Sequence, residues 1–435
     1  MHDMTAYKIF SSSIRRWSSK MKLIRLQTYI ILFVVCIFPS IYIYSLYLQM
    51  VNGFDFEVSQ ILKHTPYLWR RFNLGNGSEH SSRGRIQAQQ DWIRNLSQTK
   101  WINGDKAKPK LIWIEDDISK FHWPDGKVHC PYAPSFEQKC RVEKISPMVK
   151  LLDDPYHLME GDAIVSVRDW DMSEMVYHIP NYMLHVIHIV EPPHITQNAS
   201  LGATNALISS YWRGSDIPSP YYVFIPTKDN VTTVPVPQNI IKSKTKLAVA
   251  MISSCTQHDR VEYIAELQKF MSVDFYGKCG TMTCPNNKNC FNLFEAKYKF
   301  YLAFENSRCE DYITEKLFLN ALGYYIVPVV RGPRKSDYLS AAPPNSFIHV
   351  DDFESIQELA KYLSYLDQND DAYLKYFEWK GSGTINNNHF HDMFCRICAM
   401  LYYAQWVPPP IWESKKIEWK DINVCLSSDK ARWTD

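Results

Sequence analysis

YKFYLAFENSRCEDYITEKLFLNALGYYIVPVVRG, residues 298–332, decides the fold. Tyr298–Phe304 is a run of aromatic and apolar residues, the composition of a buried strand. Glu305–Asp311 is polar, and Asp311 stands where a residue would cap a helix. Beyond it Ile313, Leu317 and Ala321 fall at i, i+4 and i+8, one buried stripe. Gly323 stands where that helix would end, and Ile326–Val330 reads as a buried parallel strand. The polar side chains of Glu305, Asn306, Asp311, Thr314, Glu315 and Lys316 therefore crowd the carboxyl end of a strand and the first turn of a helix. In an open α/β sheet ligands bind there. The N–H groups of a helix start also suit a phosphate.

The same alternation extends both ways. Upstream, Leu247–Ser253 reads as a strand, Asp259–Met271 as a helix with Ile264, Leu267 and Met271 on one face, and Val273–Tyr276 as a strand. Downstream, strand Phe347–Val350 and helices Glu354–Leu366 and Asp371–Trp379 complete a domain over 241–388. A last helix, His391–Trp406 in the segment 389–435, is expected to cross back toward the preceding domain. That domain, 110–240, opens on KLIWIEDD at Lys110, continues through strands Ala163–Val167 and Leu184–Val190, and closes in a loop near Pro226–Pro237.

Leu26–Val51 holds no charged residue and is long enough to span a bilayer. Lys8, Arg15, Arg16, Lys20, Lys22 and Arg25 precede it, and Asp55 and Glu57 follow it. This asymmetry predicts a cytosolic tail (1–25), a signal anchor (26–51) and a lumenal body. The polar segment 52–109 reads as a stem. Sequons at Asn76, Asn95, Asn198 and Asn230 all lie beyond the span, as do ten of the eleven cysteines, which suits an oxidising compartment. Lys+Arg 48 against Asp+Glu 46 argues against a nucleic-acid partner, whose phosphates need a basic surface.

Phe300–Ser307 together with Asp311–Lys316 resembles the FxxxFENS…DYxTEK signature of the α1,3-fucosyltransferases. A plain βαβ unit accounts for the periodicity. It does not account for Asn306, Tyr312, Glu315 and Lys316 arriving together. The resemblance runs from about Lys110 to Tyr403 and implies a GT-B-like fold, two Rossmann-like domains facing a cleft. It implies GDP-fucose as donor, with no required cofactor and a divalent cation at most stimulatory. It places Asn306, Tyr312 and Glu315 at the nucleotide sugar and Lys316 at the departing diphosphate. Ser253-Ser254-Cys255-x4-Arg260 is similar to the family's Ser-Asn-Cys-x4-Arg, whose arginine grips the diphosphate; Ser254 departs from the pattern. Tyr276-Gly277 is similar to a Tyr-Gly that would wall the nucleotide.

An inverting sugar transferase also needs a base for the acceptor hydroxyl. Strand Leu184–Val190 ends in Glu191-Pro192-Pro193-His194, followed by SSYWRGSDIPSPY at Ser209–Tyr221. The pair is similar to the family's acceptor-side pattern and makes Glu191 the base, with His194 a rival by type. Arg213, Ser215, Asp216 and Tyr221 are expected to bound the cleft, Tyr221 toward the donor. No metal site is expected: Asp169-Trp170-Asp171 is a short D-x-D, and a zinc reading of His389, His391, Cys395 and Cys398 yields to disulfides in an oxidising lumen. By the resemblance, Cys130 and Cys140 are the mates of Cys395 and Cys398. Cys255, Cys279, Cys284, Cys290, Cys309 and Cys425 remain, and six cysteines allow fifteen pairings.

The cysteine set is similar to the invertebrate branch of the family. The resemblance then implies transfer of L-fucose to O-3 of a GlcNAc on glycoprotein N-glycans in the Golgi, first the core GlcNAc and second an antennal one. A catalytically inactive, membrane-anchored glycan-binding protein is the contrasting class. It would not need Arg260 and Lys316. Oligomeric state leaves no mark in the sequence.

Overall fold

The computed structural model describes residues 82–98, 109–115, 126, 128–145, 161–167, 183–193, 195–196, 207–227, 234–255, 258–284, 290–387, 389–406, 424–426 and 432. They belong to one compact unit, Thr65–Asp435. The expected anchor, His194, Asp169–Asp171 and the sequons at Asn76, Asn198 and Asn230 lie outside the described residues. Among the described residues no helix is long and apolar enough to cross a membrane.

The chain enters through α1 (Ser82–Ser97), then β1 (Lys110–Glu115), β2 (Cys140–Ile145), β3 (Ala163–Val167), β4 (Leu184–Ile189), β5 (Leu207–Ser210) and β6 (Ile217–Pro218). The six strands form one sheet, ordered β2-β1-β3-β4-β5-β6, with every neighbouring pair parallel. Parallel strands are covered on both faces, so β4 and β5 are buried almost throughout.

α1 corrects the reading of 52–109 as a stem. It buries Ile86, Trp92, Ile93 and Leu96, and Gln89 beside them. The Gln89 amide donates to the Asp216 carbonyl (2.8 Å) and accepts from the Arg396 guanidinium (3.0 Å). The polar average of the segment hid a stripe at helical period. Asn95 is exposed on this helix.

After β7 (Val223–Pro226) and α2 (Gln238–Ser243), the second sheet is built from β8 (Lys246–Met251), α3 (His258–Leu267), β9 (Val273–Tyr276), α4 (Cys290–Lys297), β10 (Tyr298–Phe304), α5 (Glu315–Leu317), β11 (Val327–Arg331), α6 (Lys335–Ala341) and β12 (Ile348–His349). Its order is β12-β11-β10-β8-β9, again all parallel. In β10, Phe300, Leu302 and Phe304 enter one core with Ile264, Leu267 and Leu363, while Tyr301 and Ala303 enter the other with Phe294, Leu317 and Ala321. Alternating side chains thus hold a layer of helices on each face. α7 (Ile356–Gln368) and α8 (Asp370–Leu374) close the unit, and β13 (Gly383–Asn386) pairs antiparallel with β7.

α9 (His389–Trp406) leaves the second sheet and packs on α1 and β1. Disulfides Cys130–Cys395 and Cys140–Cys398 tie it to the first half. The remaining cysteines pair Cys255–Cys279, Cys284–Cys290 and Cys309–Cys425.

Candidate active site

The second sheet reverses its strand order between β8 and β10, and an open α/β sheet presents its ligand crevice at such a switch point. Arg260, on α3, spans it. The buried guanidinium donates from Nη1 to the Phe304 carbonyl at the end of β10 (3.1 Å) and from Nη2 to the Ser254 carbonyl beyond β8 (2.9 Å). Its Nε is buried with no hydrogen-bond partner among the described residues. Burial pulls its pKa below the ordinary arginine value, and Glu305 works against that pull.

Glu305 follows Phe304 and is the hub of the site. Its buried carboxylate accepts the Thr314 backbone N–H (2.8 Å), bonds the Thr314 hydroxyl at 3.0 and 2.9 Å, and meets the Lys316 ammonium at 3.0 Å. Burial pushes its pKa up; Lys316 offsets part of the rise. Lys316 also meets Glu315 Oε1 (3.1 Å) and Thr314 Oγ1 (2.8 Å). Burial alone would discharge this lysine, but Glu305 and Glu315 outweigh it and raise its pKa. For Glu315 burial again pushes up, and Lys316 with nearby hydrogen bonds overcomes it, leaving the carboxyl below its usual range. Arg260 thus holds the carbonyl of Phe304 while Lys316 pairs with the carboxylate of Glu305, the next residue. Lys316 is held in a compensated cluster instead of standing as a lone cation.

The helix start differs from the sequence reading. Thr314 caps it, accepting from the Lys316 backbone N–H. Asp311 does not, because it lies in the left-handed region (φ 61°). Its carboxylate accepts from the backbone N–H and the Nε of Arg213, 2.8 Å each, and pairs with Nη2 at 2.7 Å. Arg213 also pairs with Asp337. α5 itself is three residues long and runs on as a π turn, Phe318–Leu322. So short a helix has little dipole, and the field at the site comes from side chains.

The expected base lies just past β4 and is reached from the other half of the molecule. Tyr312 Oη donates to Glu191 Oε2 at 3.0 Å. Tyr221 Oη donates to the Val190 carbonyl at 2.7 Å. The rings of Tyr211 and Tyr221 pack edge-on against Tyr312, with centroids 5.0 and 6.0 Å away. Burial first, and Glu191 among the further causes, raises the pKa of all three tyrosines well above the ordinary value.

The structure thus brings together Glu191, Tyr221, Arg213 and Tyr312 in one group, and Arg260, Glu315 and Lys316 in a second, joined by the loop 305–314. Asn306 is half-buried in that loop, its amide oxygen accepting from Ser307 Oγ (3.0 Å). Two expectations are corrected. Tyr276 does not wall a crevice: it is buried edge-on against Phe294, its hydroxyl 3.4 Å from that of Tyr298. Ser215 and Asp216 do not bound a cleft. Both are buried and hold the turn after β5, Ser215 on the Ser210 hydroxyl and Asp216 on the Ile208 N–H (2.8 Å). Cys395 and Cys398 are bonded to Cys130 and Cys140. Among the described residues no group of His, Cys, Asp or Glu could hold a metal ion. The pairing of Arg213 with Asp311 had no sequence signal, since the two are 98 positions apart. Glu305 did have one: it is the single acid inside the signature that follows the buried strand directly.

Residues 241–408 match the family described as glycosyltransferase family 10 (fucosyltransferase) C-term. Among curated proteins, the chain is 39% identical over 246 residues to glycoprotein 3-alpha-L-fucosyltransferase A of Drosophila melanogaster, covering 56% of this chain and 48% of the relative. It is 36% identical over 210 residues to alpha-(1,3)-fucosyltransferase fut-1 of Caenorhabditis elegans, covering 45% and 48%. The chain spans about half the length of these two relatives. A crystal structure of an alpha1,3-fucosyltransferase with GDP-fucose superposes loosely, with TM-score 0.40 and 14% identity over 72% of this chain and 98% of the other.

Proposed function

We propose that this chain, which carries a glycosyltransferase family 10 domain at residues 241–408, is a GDP-fucose-dependent α1,3-fucosyltransferase of GT-B-like architecture. The acceptor hydroxyl attacks the anomeric carbon of GDP-β-L-fucose. Its proton passes to Glu191, the bond to the diphosphate breaks, and the configuration inverts. Arg260 and Lys316 face the charge that grows on the leaving diphosphate. Glu315, half exposed beside Lys316, faces sugar hydroxyls or the developing oxocarbenium charge. The acceptor is O-3 of a GlcNAc on glycoprotein N-glycans, the core GlcNAc before an antennal one. The apolar run Leu26–Val51 supports a single-pass anchor with the body in the Golgi lumen.

The observation that carries this reading is that Arg260 holds the Phe304 carbonyl and Lys316 the carboxylate of the next residue, Glu305, at the switch point, with the loop beyond reaching Glu191. The test incubates the enzyme with GDP-fucose and a panel of free and peptide-linked N-glycans and reads the linkage of the product. Glu191→Gln is expected to abolish transfer while still binding GDP. Wild-type rates in that variant would remove Glu191 from the role; core or antennal product settles the acceptor.

A further inference from the structure

Resting on the fucosyl-transfer reading, the geometry points to Tyr312 as a positioning residue for the base, one that holds the Glu191 carboxylate from the donor side of the molecule. The sequence groups Tyr312 with donor-binding residues. In the structure its hydroxyl goes to Glu191 Oε2 at 3.0 Å, and the side chain is 2% exposed.

The loop gives that hydroxyl little freedom. Cys309 is bonded to Cys425, and around the bridge the Glu310 N–H donates to the Val424 carbonyl (2.9 Å) and the Leu426 N–H to the Arg308 carbonyl (2.8 Å). Asp311 is turned into the left-handed region and clasped by Arg213. Tyr211 and Tyr221 pack edge-on against the ring, and the Tyr221 hydroxyl fixes the Val190 carbonyl immediately before the base. A phenol so placed remains a donor, since burial, then Tyr221, then Glu191 all oppose its ionisation.

A hydrogen bond donated to a carboxylate favours the charged form, the form a general base must have. Tyr312 donates to Glu191, and Tyr211 and Tyr221 lie close enough to feel its charge; Asp311, Glu305 and Glu315 act on the same tyrosines. Acceptor deprotonation therefore depends on the same loop that presents Glu315 and Lys316 to the donor.

Tyr312→Phe in the full chain, with a melting curve to check the fold, tests this. Because the lost hydrogen bond is to a charged group, kcat is expected to fall roughly ten- to a hundredfold. KM for GDP-fucose and the affinity for GDP are expected to hold. The acid limb of the pH–rate profile is expected to move to higher pH, because the carboxylate loses a donor that favoured its ionised form. In a Glu191→Asp background, where the shorter acid withdraws from the hydroxyl, Tyr312→Phe is expected to add only a few-fold more. A raised KM for GDP-fucose with kcat and acid limb unmoved would overturn the proposal and return Tyr312 to the donor, as would a full additive loss in the Glu191→Asp background. Absence of transfer by the wild type would instead overturn the fucosyltransferase reading itself.

Discussion

The carboxylate of Asp311 closes on Arg213 from 98 positions away, taking the backbone N–H and the Nε on one oxygen at 2.8 Å each and Nη2 on the other at 2.7 Å. The same Nη2 pairs with Asp337, whose side chain is also buried. One arginine from the first half thus pairs with two acids of the second. Burying ions without partners is far costlier than the pair itself is worth. Arg213→Ala is therefore expected to cost about 3–5 kcal/mol, and more than Asp311→Asn, which leaves Asp337 in place. Urea unfolding of the two variants would check the ranking; equal costs would contradict it.

Lys316 gives a pH signature. Its folded pKa is raised above the ordinary 10.5, so the stability it draws from Glu305 and Glu315 is fully present below pH 10.5 and is lost as pH rises through the folded value. The difference in melting temperature between wild type and Lys316→Met is expected to be constant at neutral pH and to shrink only in strongly alkaline buffer. Lys316→Ala is also expected to raise KM for GDP-fucose; an unchanged donor response would mark it as a structural lysine.

Gly332 sits where no side chain fits. A Cβ there would lie 2.6 Å from Tyr338 Oη and 3.0 Å from Glu305 Cγ. Gly332→Ala is expected to destabilise by about 1–3 kcal/mol through overpacking. It is also expected to slow transfer, because the shift displaces the carboxylate that holds Lys316. Unaltered turnover in a destabilised variant would separate Glu305 from the chemistry.

A chain beginning at Lys110 removes α1 and with it buried Ile86, Trp92, Ile93 and Leu96. Each such side chain is worth about 1.5–3 kcal/mol, comparable together with the whole stability of a domain. Arg396, buried, would also lose the Gln89 oxygen at 3.0 Å. The shortened chain is expected to aggregate or lose near-ultraviolet dichroism, whereas one beginning at Thr65 is expected to fold. A monodisperse, cooperatively melting product from Lys110 would refute the role of α1.

The second sheet was legible because its strands are continuous apolar runs and its helices carry stripes of period 3.6. Leu317 and Ala321 enter the core as the spacing required. The placement of site residues was legible where it follows from a residue's own position on an element: Arg260 at a strand-to-helix turn, Glu191 at a strand end. It was not legible where the role comes from a partner distant in sequence. Asp311 looked like a helix cap because capping is a local preference, but an arginine from another sheet drew its carboxylate away. Tyr276 looked like a wall because a Tyr-Gly ends its strand, yet the direction of the ring was set by Phe294 and Tyr298. α1 was missed because its inward stripe is diluted by glutamine and arginine.

Cys130 and Cys140 find their mates 265 and 258 positions further on. Their thiols therefore wait, unoxidised or mispaired, while almost the whole remaining chain is made. The half that leaves the ribosome first cannot lock until α9 has followed it.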